Sequence, residues 1–445
     1  MADLTVIGSG PGGLEAALQG AKTGLEVALV TATPPGGRAT VGSLLPSKVW
    51  LTEAEAFHSA RKRAPEIEPR VGAITGRVNE RMKERSGGVA SLLESVGVAI
   101  HLGSAKLTGP NSVTVTPSEE GAEQRTIESR YIVLATGSEP RFFPNVKPDG
   151  ERIIAPRHTR LLREIPKSIT FVGGGVTATE YASVFAKLGS KVSIVTDIER
   201  LLPRTDPELV ASLTEYLGTL GIEVLTNSPV ESVTAQKNGV VTTTTDGRVL
   251  ETEYAFIATG RRPDTEAFEE SGLDLETDRG GWLVTDAQQR TSIDSIFAVG
   301  DITGAPLIAN KAIRQARVAV AAISGNAEGD LISAGVNIEA VYTHPELAQV
   351  GPVFDLASRE GKEVSLFRRR YGDALLPLIR GSEEGYLKLW YESSTNELLG
   401  AAAFGEHAAE ILAPVQMAIE RGMTLRELVR SPFAHPSLSE MLSIA

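Results

Sequence analysis

Leu4-Thr-Val-Ile-Gly-Ser-Gly-Pro-Gly-Gly13 and Ile169-Thr-Phe-Val-Gly-Gly-Gly-Val-Thr-Ala178 are two copies of one pattern, and the recurrence decides the fold. Each is a short β-branched strand running into a glycine-rich turn and then an apolar helix. In the first copy Gly8 permits a tight turn, Gly10 lets a pyrophosphate approach the backbone, and Gly13 allows close helix packing, with phosphate held at the helix N-terminus. One G-x-G-x-x-G is weak. Here Gly8, Gly10, Gly13, Gly24 and Val27 are matched by Gly173, Gly175, Ala178, Gly189 and Val192, each 165 residues later. A helix is expected up to Gly24, then a strand from Val27 to Val30, with its counterpart from Val192 to Val195. Ala135-Thr136-Gly137 and Ala258-Thr259-Gly260 form a second doubled motif, each after an apolar strand. Either copy alone reads as a strand and a turn; the pair does not.

Composition narrows the function. The chain has 445 residues, 42% hydrophobic and 22% charged, which suits a soluble globular protein of about three domains. A net charge of -12 argues against nucleic-acid binding. The absence of cysteine excludes disulfides, thiolate nucleophiles and thiolate metal sites. Six scattered histidines point to no metal site, and His407 with Glu410 reads as a solvated helix face. No basic segment or apolar run precedes Leu4, and no apolar run reaches the roughly 18 residues of a membrane span. A cytoplasmic protein with no membrane span is therefore expected.

Gly36 to Lys48 reads GGRATVGSLLPSK. It resembles the active-site helix of the flavoprotein disulfide reductases, the class I pyridine nucleotide-disulfide oxidoreductases that include dihydrolipoamide dehydrogenase, glutathione reductase and mercuric reductase. Their pattern is G-G-x-C-x-x-x-x-C-x-P-S-K; Ala39 and Leu44 stand at the two cysteine positions. The resemblance extends along nearly the whole chain and is closest to the lipoamide dehydrogenases. In such flavoproteins the Ala-Thr-Gly motif closes each nucleotide domain, and Ile296-Phe-Ala-Val-Gly-Asp301 resembles the distal flavin motif whose aspartate accepts hydrogen bonds from the ribityl chain. Tyr342-Thr-His344-Pro345-Glu346 and Ala434-His435-Pro436-Ser-Leu-Ser-Glu440 resemble the dimerisation domain, in which the last motif completes the other subunit's site. His344 reads as structural.

The resemblance implies an α/β protein with two Rossmann-like domains and a C-terminal α+β dimerisation domain. The expected divisions are an FAD-binding domain at 1–145 and 265–334, an NAD(P)-binding domain at 146–264, and the dimerisation domain at 335–445. Helices are expected from after Lys48 to about Ala64 and from Gly76 to Val96, with strands near Val98 and Val113 and a crossover over residues 141–168.

The resemblance places FAD on Gly8, Gly10, Pro11, Gly12, Gly13, Gly37, Lys48, Ala105, Thr136, Gly137, Ser138, Asp301, Leu307 and Ala309. It places the nicotinamide dinucleotide on Gly173, Gly175, Val176, Thr177, Glu180, Thr196, Val230 and Gly260. Lys48 and Glu180 pair beside the reactive flavin nitrogen, where a cation stabilises charge on reduced flavin. His435 is the family's acid/base, oriented by Glu440, and Phe433 replaces a second histidine. At the two ribose positions Thr31 and Thr196 stand where an acid is expected. Thr31 is expected to weaken FAD binding without abolishing it. With Thr196 there and Arg200 four residues on, NADH, NADPH and loss of nicotinamide binding all stay open. A homodimer passing hydride from NAD(P)H through FAD to a small quinone-like acceptor is the leading expectation. A non-catalytic flavoprotein serving as scaffold or redox-responsive partner is the alternative.

Overall fold

The strand Ala2–Ile7 ends at Gly8, whose φ of +103° suits glycine and strains any L side chain. A Cβ there would lie 2.3 Å from the carbonyl oxygen of Ala135. Gly173 repeats this after strand Ser168–Val172, with φ +122° and the Ala258 carbonyl 2.3 Å from a Cβ. The two doubled motifs of the sequence are thus one device: each glycine turn packs on the alanine of its own Ala-Thr-Gly. The computed structural model describes residues 1–119, 121–325, 336–351 and 363–443. The expected boundary at 334/335 and the last two positions lie outside the described residues.

The two nucleotide folds share the order of four strands, and the fifth strand on the same edge comes from after the other four in the first and from before them in the second. In the first, parallel strands run Ala99–Gly109, Val27–Thr31, Ala2–Ile7, Arg125–Leu134 and Ile296–Ala298, with Ser112–Pro117 joining the first and fourth as an antiparallel arm. In the second the parallel order is Glu223–Leu225, Lys191–Val195, Ser168–Val172, Tyr254–Ile257 and Ile153–Ile154. The central strands are buried on both faces: Leu4, Val6, Ile169 and Phe171 on one side of the pleat and Thr5 and Thr170 on the other are fully buried. Ile296–Ala298 returns to the first sheet after the whole second fold. Two short strands, Ser138–Pro140 and Arg261–Pro263, pair antiparallel where the chain crosses between the folds. There Thr136 Oγ1 donates to Asp264 O at 2.8 Å and Thr259 Oγ1 donates to Arg141 O at 2.6 Å, so each threonine ties its own fold to the other crossover.

Three helices begin or end away from their expected positions. The first is Pro11–Lys22, closed by Gly24 at φ +86°. The helix expected after Lys48 spans Leu44–Arg61, because Pro46 sits in its first turn, where its missing N–H costs nothing. The next spans Val71–Ser95, five residues earlier than the glycine-led reading, because burial of Val71, Ile74 and Val78 outweighs the helix penalty of Gly76.

Beyond residue 335 an antiparallel sheet orders Ile338–Val341, Glu346–Val350, Leu398–Gly405, Tyr386–Glu392 and Val364–Arg370. Helix Ala408–Glu420 covers it through Ala408, Ile411, Leu412 and Val415. The buried Lys388 of this sheet meets both oxygens of Asp206 at 3.0 Å and Glu208 at 2.9 Å. Asp206 in turn caps helix Pro207–Thr219 of the second fold, accepting from the N–H groups of Glu208 and Leu209.

Candidate active site

The first glycine turn forms a cradle at the C-terminal edge of its sheet, where open α/β sheets bind ligands. Around a Cβ built on Gly10 there is no protein atom within 4 Å, whereas one on Gly37 would lie 2.6 Å from Gly10 Cα and one on Gly13 1.9 Å from Gly8 O. The backbone of Gly36-Gly37 is therefore stacked against the turn, with Gly36 N–H donating to Ser9 O at 3.1 Å. Pro11 opens the helix and Gly12 packs under Val299 and Ala312. Thr31 is spent internally: its hydroxyl donates to Thr33 O at 2.8 Å and lies 2.7 Å from Ser9 Oγ.

Arg38 follows Gly37, and the sequence reading gave it no role. Its guanidinium stands 4.0 Å from both Glu139 and Asp264, while Nη1 is shielded from solvent without a hydrogen-bond partner among the described residues. Burial holds the Asp264 carboxyl above its ordinary range, and the charge of Glu139 adds to this. Arg261 lies beside this group, and burial pushes its pKa down. Arg261 donates to Ser138 Oγ at 2.6 Å, and Ser138 Oγ donates to Asp301 Oδ2 at 2.5 Å. Ser138 thus holds the Asp301 carboxylate, and Gly137 in the left-handed region (φ +83°) leads into it. Asp301 lies in a short 3-10 turn just before Leu307 and helix Ala309–Ile323, which begins at Ala309. Ala105 lies on strand Ala99–Gly109 of the same sheet. The open glycine turn leaves room for a pyrophosphate, the guanidinium of Arg38, the residue after Gly37, is a group suited to one, and these residues fit FAD.

The second turn is built alike. Gly175 has no protein atom within 4 Å of a built Cβ and caps helix Val176–Lys187, whose first residues Val176 and Thr177 are exposed. Thr196 is buried with its hydroxyl unpaired among the described residues, and a Cβ on Gly174 would stand 2.8 Å from it. Arg200 is turned to the Pro203 carbonyl at 2.9 Å. Val230 opens strand Val230–Gln236, and Gly260 has φ +100°.

Between the two turns, Lys48 Nζ donates to both carboxylate oxygens of the buried Glu180 at 2.8 Å, joining residues 132 apart in sequence. Tyr342 braces this pair from the third unit. Its N–H donates to Glu180 Oε1 at 2.9 Å and its ring lies 4.5 Å from Lys48 Nζ. On the same helix as Lys48, Leu44 is 47% exposed and Ala39 precedes it by a turn. His435 is elsewhere: its Nδ1 meets Glu440 Oε2 at 2.5 Å, and the other oxygen of the buried Glu440 accepts from Leu375 N–H. Its ring is 68% exposed, and no hydrogen bond or ion pair among the described residues links it to Lys48 or Glu180. His407 caps a helix with Glu410 at 3.5 Å, and the described residues hold no group of side chains suited to a metal ion.

Residues 2–322 match the family model described as pyridine nucleotide-disulphide oxidoreductase, and residues 338–445 match that family's dimerisation domain. The chain belongs to the pyridine nucleotide-disulphide oxidoreductases. It is 35% identical to the dihydrolipoyl dehydrogenase of Chlorobaculum tepidum, covering 98% of this chain and 95% of that one. It is 32% identical to the dihydrolipoyl dehydrogenase of Thermus scotoductus over 99% of this chain and 95% of that one. Among solved structures it resembles LpdA from Mycobacterium tuberculosis with a TM-score of 0.92 and 27% identity, covering 99% and 98% of the two chains. The fold alone is also shared with the HOCl-induced flavoprotein disulfide reductase RclA of Escherichia coli, at a TM-score of 0.87 and 23% identity. The family binds FAD and NAD(P)H, and this chain is a cysteine-less member of it. No helix among the described residues is long and apolar enough to cross a membrane.

Proposed function

We propose that this protein is an FAD enzyme that takes hydride from NADH or NADPH and passes the electrons to a small planar acceptor, such as a quinone, without a redox disulfide. The observation that carries this reading is the Lys48–Glu180 pair, whole and braced, with Leu44 at one thiol position on the helix of Lys48 and Ala39 at the other in the short helix Gly37–Val41 before it. Bound FAD would supply the two-electron carrier, held by Gly8, Gly10, Gly13, Gly37, Arg38 and Asp301. Lys48 supplies a fixed cation where negative charge develops during hydride transfer, and Glu180 keeps Nζ from swinging to solvent. Ala39 and Leu44 offer an apolar wall against which a flat acceptor can lie, excluding water there.

Reduction of a quinone takes two electrons and two protons; the hydride brings one proton with the electron pair, so one more must be supplied. His435 suits its delivery: Glu440 holds Nδ1, leaving Nε2 for the acceptor on an exposed ring. The dimerisation domain supports a homodimer in which His435 of one chain serves the other chain's Lys48 site. The test is anaerobic mixing of the FAD-loaded protein with NADH and with NADPH. Bleaching of the flavin absorbance by at least one is expected; a flavin that stays oxidised with both supports a non-catalytic scaffold instead.

A further inference from the structure

Lys48–Glu180 is one of two bridges between the same pair of helices. Glu55 lies seven positions after Lys48, and Lys187 seven after Glu180; both steps are two helical turns, so each pair shares one face. Lys187 Nζ donates to Glu55 Oε2 at 2.5 Å, again joining residues 132 apart, and its side chain is only 3% exposed. Helices Leu44–Arg61 and Val176–Lys187 therefore run parallel, with Trp50 stacked on Phe185 between the bridges at 6.2 Å. The polarity is reversed from one bridge to the next. A slide of two turns, or an antiparallel arrangement, would set Lys48 on Lys187 or Glu55 on Glu180, so the charges permit one register.

The third unit clasps both bridges with one short segment. Tyr342 N–H donates to Glu180 Oε1, and two residues on the His344 carbonyl accepts from Lys187 Nζ at 3.3 Å. The His344 ring stands 3.8 Å from the other oxygen of Glu55. The same connection, between strands Ile338–Val341 and Glu346–Val350, thus fixes the carboxylate that holds Lys48 and the ammonium that holds Glu55.

We infer that Glu55 and Lys187 are positioning residues, which with the Tyr342–His344 segment hold the two helices in the register that sets Lys48 on Glu180. The inference rests on the proposed role of Lys48 in hydride transfer. A small displacement at a reacting centre from a distant change costs on the order of 10- to 100-fold in rate. The test is anaerobic stopped-flow reduction of FAD-loaded Glu55→Gln, Lys48→Met and the double variant, with the visible spectrum of the bound flavin recorded for each. Expected is a slowing of that order in Glu55→Gln at full FAD content and no further loss when Glu55→Gln is added to Lys48→Met. A purely structural bridge would lower Tm without this pattern. Losses that multiply in the double variant, or wild-type rates and spectrum in Glu55→Gln, overturn the inference. If Lys48→Met reduces at the wild-type rate, the hydride role of Lys48 falls. The flavin spectrum then decides separately: a band shifted alike in Glu55→Gln and Lys48→Met retains the positioning role, and an unshifted band in Glu55→Gln removes it.

Discussion

At the scale of single residues, the chemistry rests on two cations of opposite legibility. Lys48 follows Pro46-Ser47 at a recognisable spacing, yet nothing in the sequence near Glu180, 132 residues away, says that the two meet at 2.8 Å. The family resemblance supplied that pairing. Lys48→Met is expected to slow flavin reduction about 100-fold, the usual loss when one electrostatic stabiliser is removed from a reacting centre, with stopped-flow absorbance as the measure. Superimposable traces would make the pair a remnant. Arg38 escaped the sequence reading because a lone arginine after two glycines looks like a solvated surface charge. Only the fold shows its Nη1 shielded from solvent and without a partner among the described residues. A charge-assisted hydrogen bond is worth about 1.5–3 kcal/mol, so Arg38→Met is expected to weaken FAD binding roughly 10- to 100-fold, read as flavin retention and by fluorescence titration of apoprotein. An unchanged affinity removes Arg38 from the cofactor site. Thr31 and Thr196 were legible as departures, but not their fates, since one hydroxyl is bonded within its own turn and the other has no partner among the described residues.

At the scale of elements, the glycine turns were readable because they depend on local stereochemistry: φ above +100° at Gly8 and Gly173 admits little else. Helix starts were less so. Pro46 is accepted in a first turn, where its missing N–H costs nothing, and burial of Val71, Ile74 and Val78 carries the next helix across Gly76. The two turns also differ in a testable way. A methyl on Gly13 would lie 1.9 Å from the Gly8 carbonyl, whereas the second fold already carries Ala178, fully buried, at the equivalent place. Gly13→Ala is therefore expected to lower Tm and to yield protein that loses FAD on purification. Ala178→Gly should cost only about 1 kcal/mol of helix stability and keep its FAD. Thermal melts with flavin quantitation separate the two, and equal behaviour would mean that the first turn relaxes freely.

At the scale of the molecule, the order of four strands repeats in the two nucleotide folds, and a third unit reaches back to the first through the Tyr342 ring beside Lys48 and to the second through Tyr342 N–H and Lys388. The sequence showed the repetition through its constant offset. It hid the inter-unit contacts, because buried lysines such as Lys187 and Lys388 are indistinguishable by composition from surface ones. His435, exposed and unlinked to Lys48 within one chain, makes sense if the dimer completes the site. His435→Ala should leave flavin reduction unchanged and slow reoxidation by quinone about 100-fold, as for a positioned acid. A mixed dimer of Lys48→Met and His435→Ala chains should recover one working site, since one of its two sites then carries both native residues. A mixed dimer no faster than its parents would place both residues in one chain's site. The central claim is that this scaffold moves hydride without thiols, and it is tested most directly by turnover of one FAD-loaded preparation with NAD(P)H and either a benzoquinone or lipoamide as acceptor. Rapid quinone reduction with no lipoamide reduction is predicted; lipoamide turnover by the cysteine-free chain, or no turnover with quinone, would contradict it.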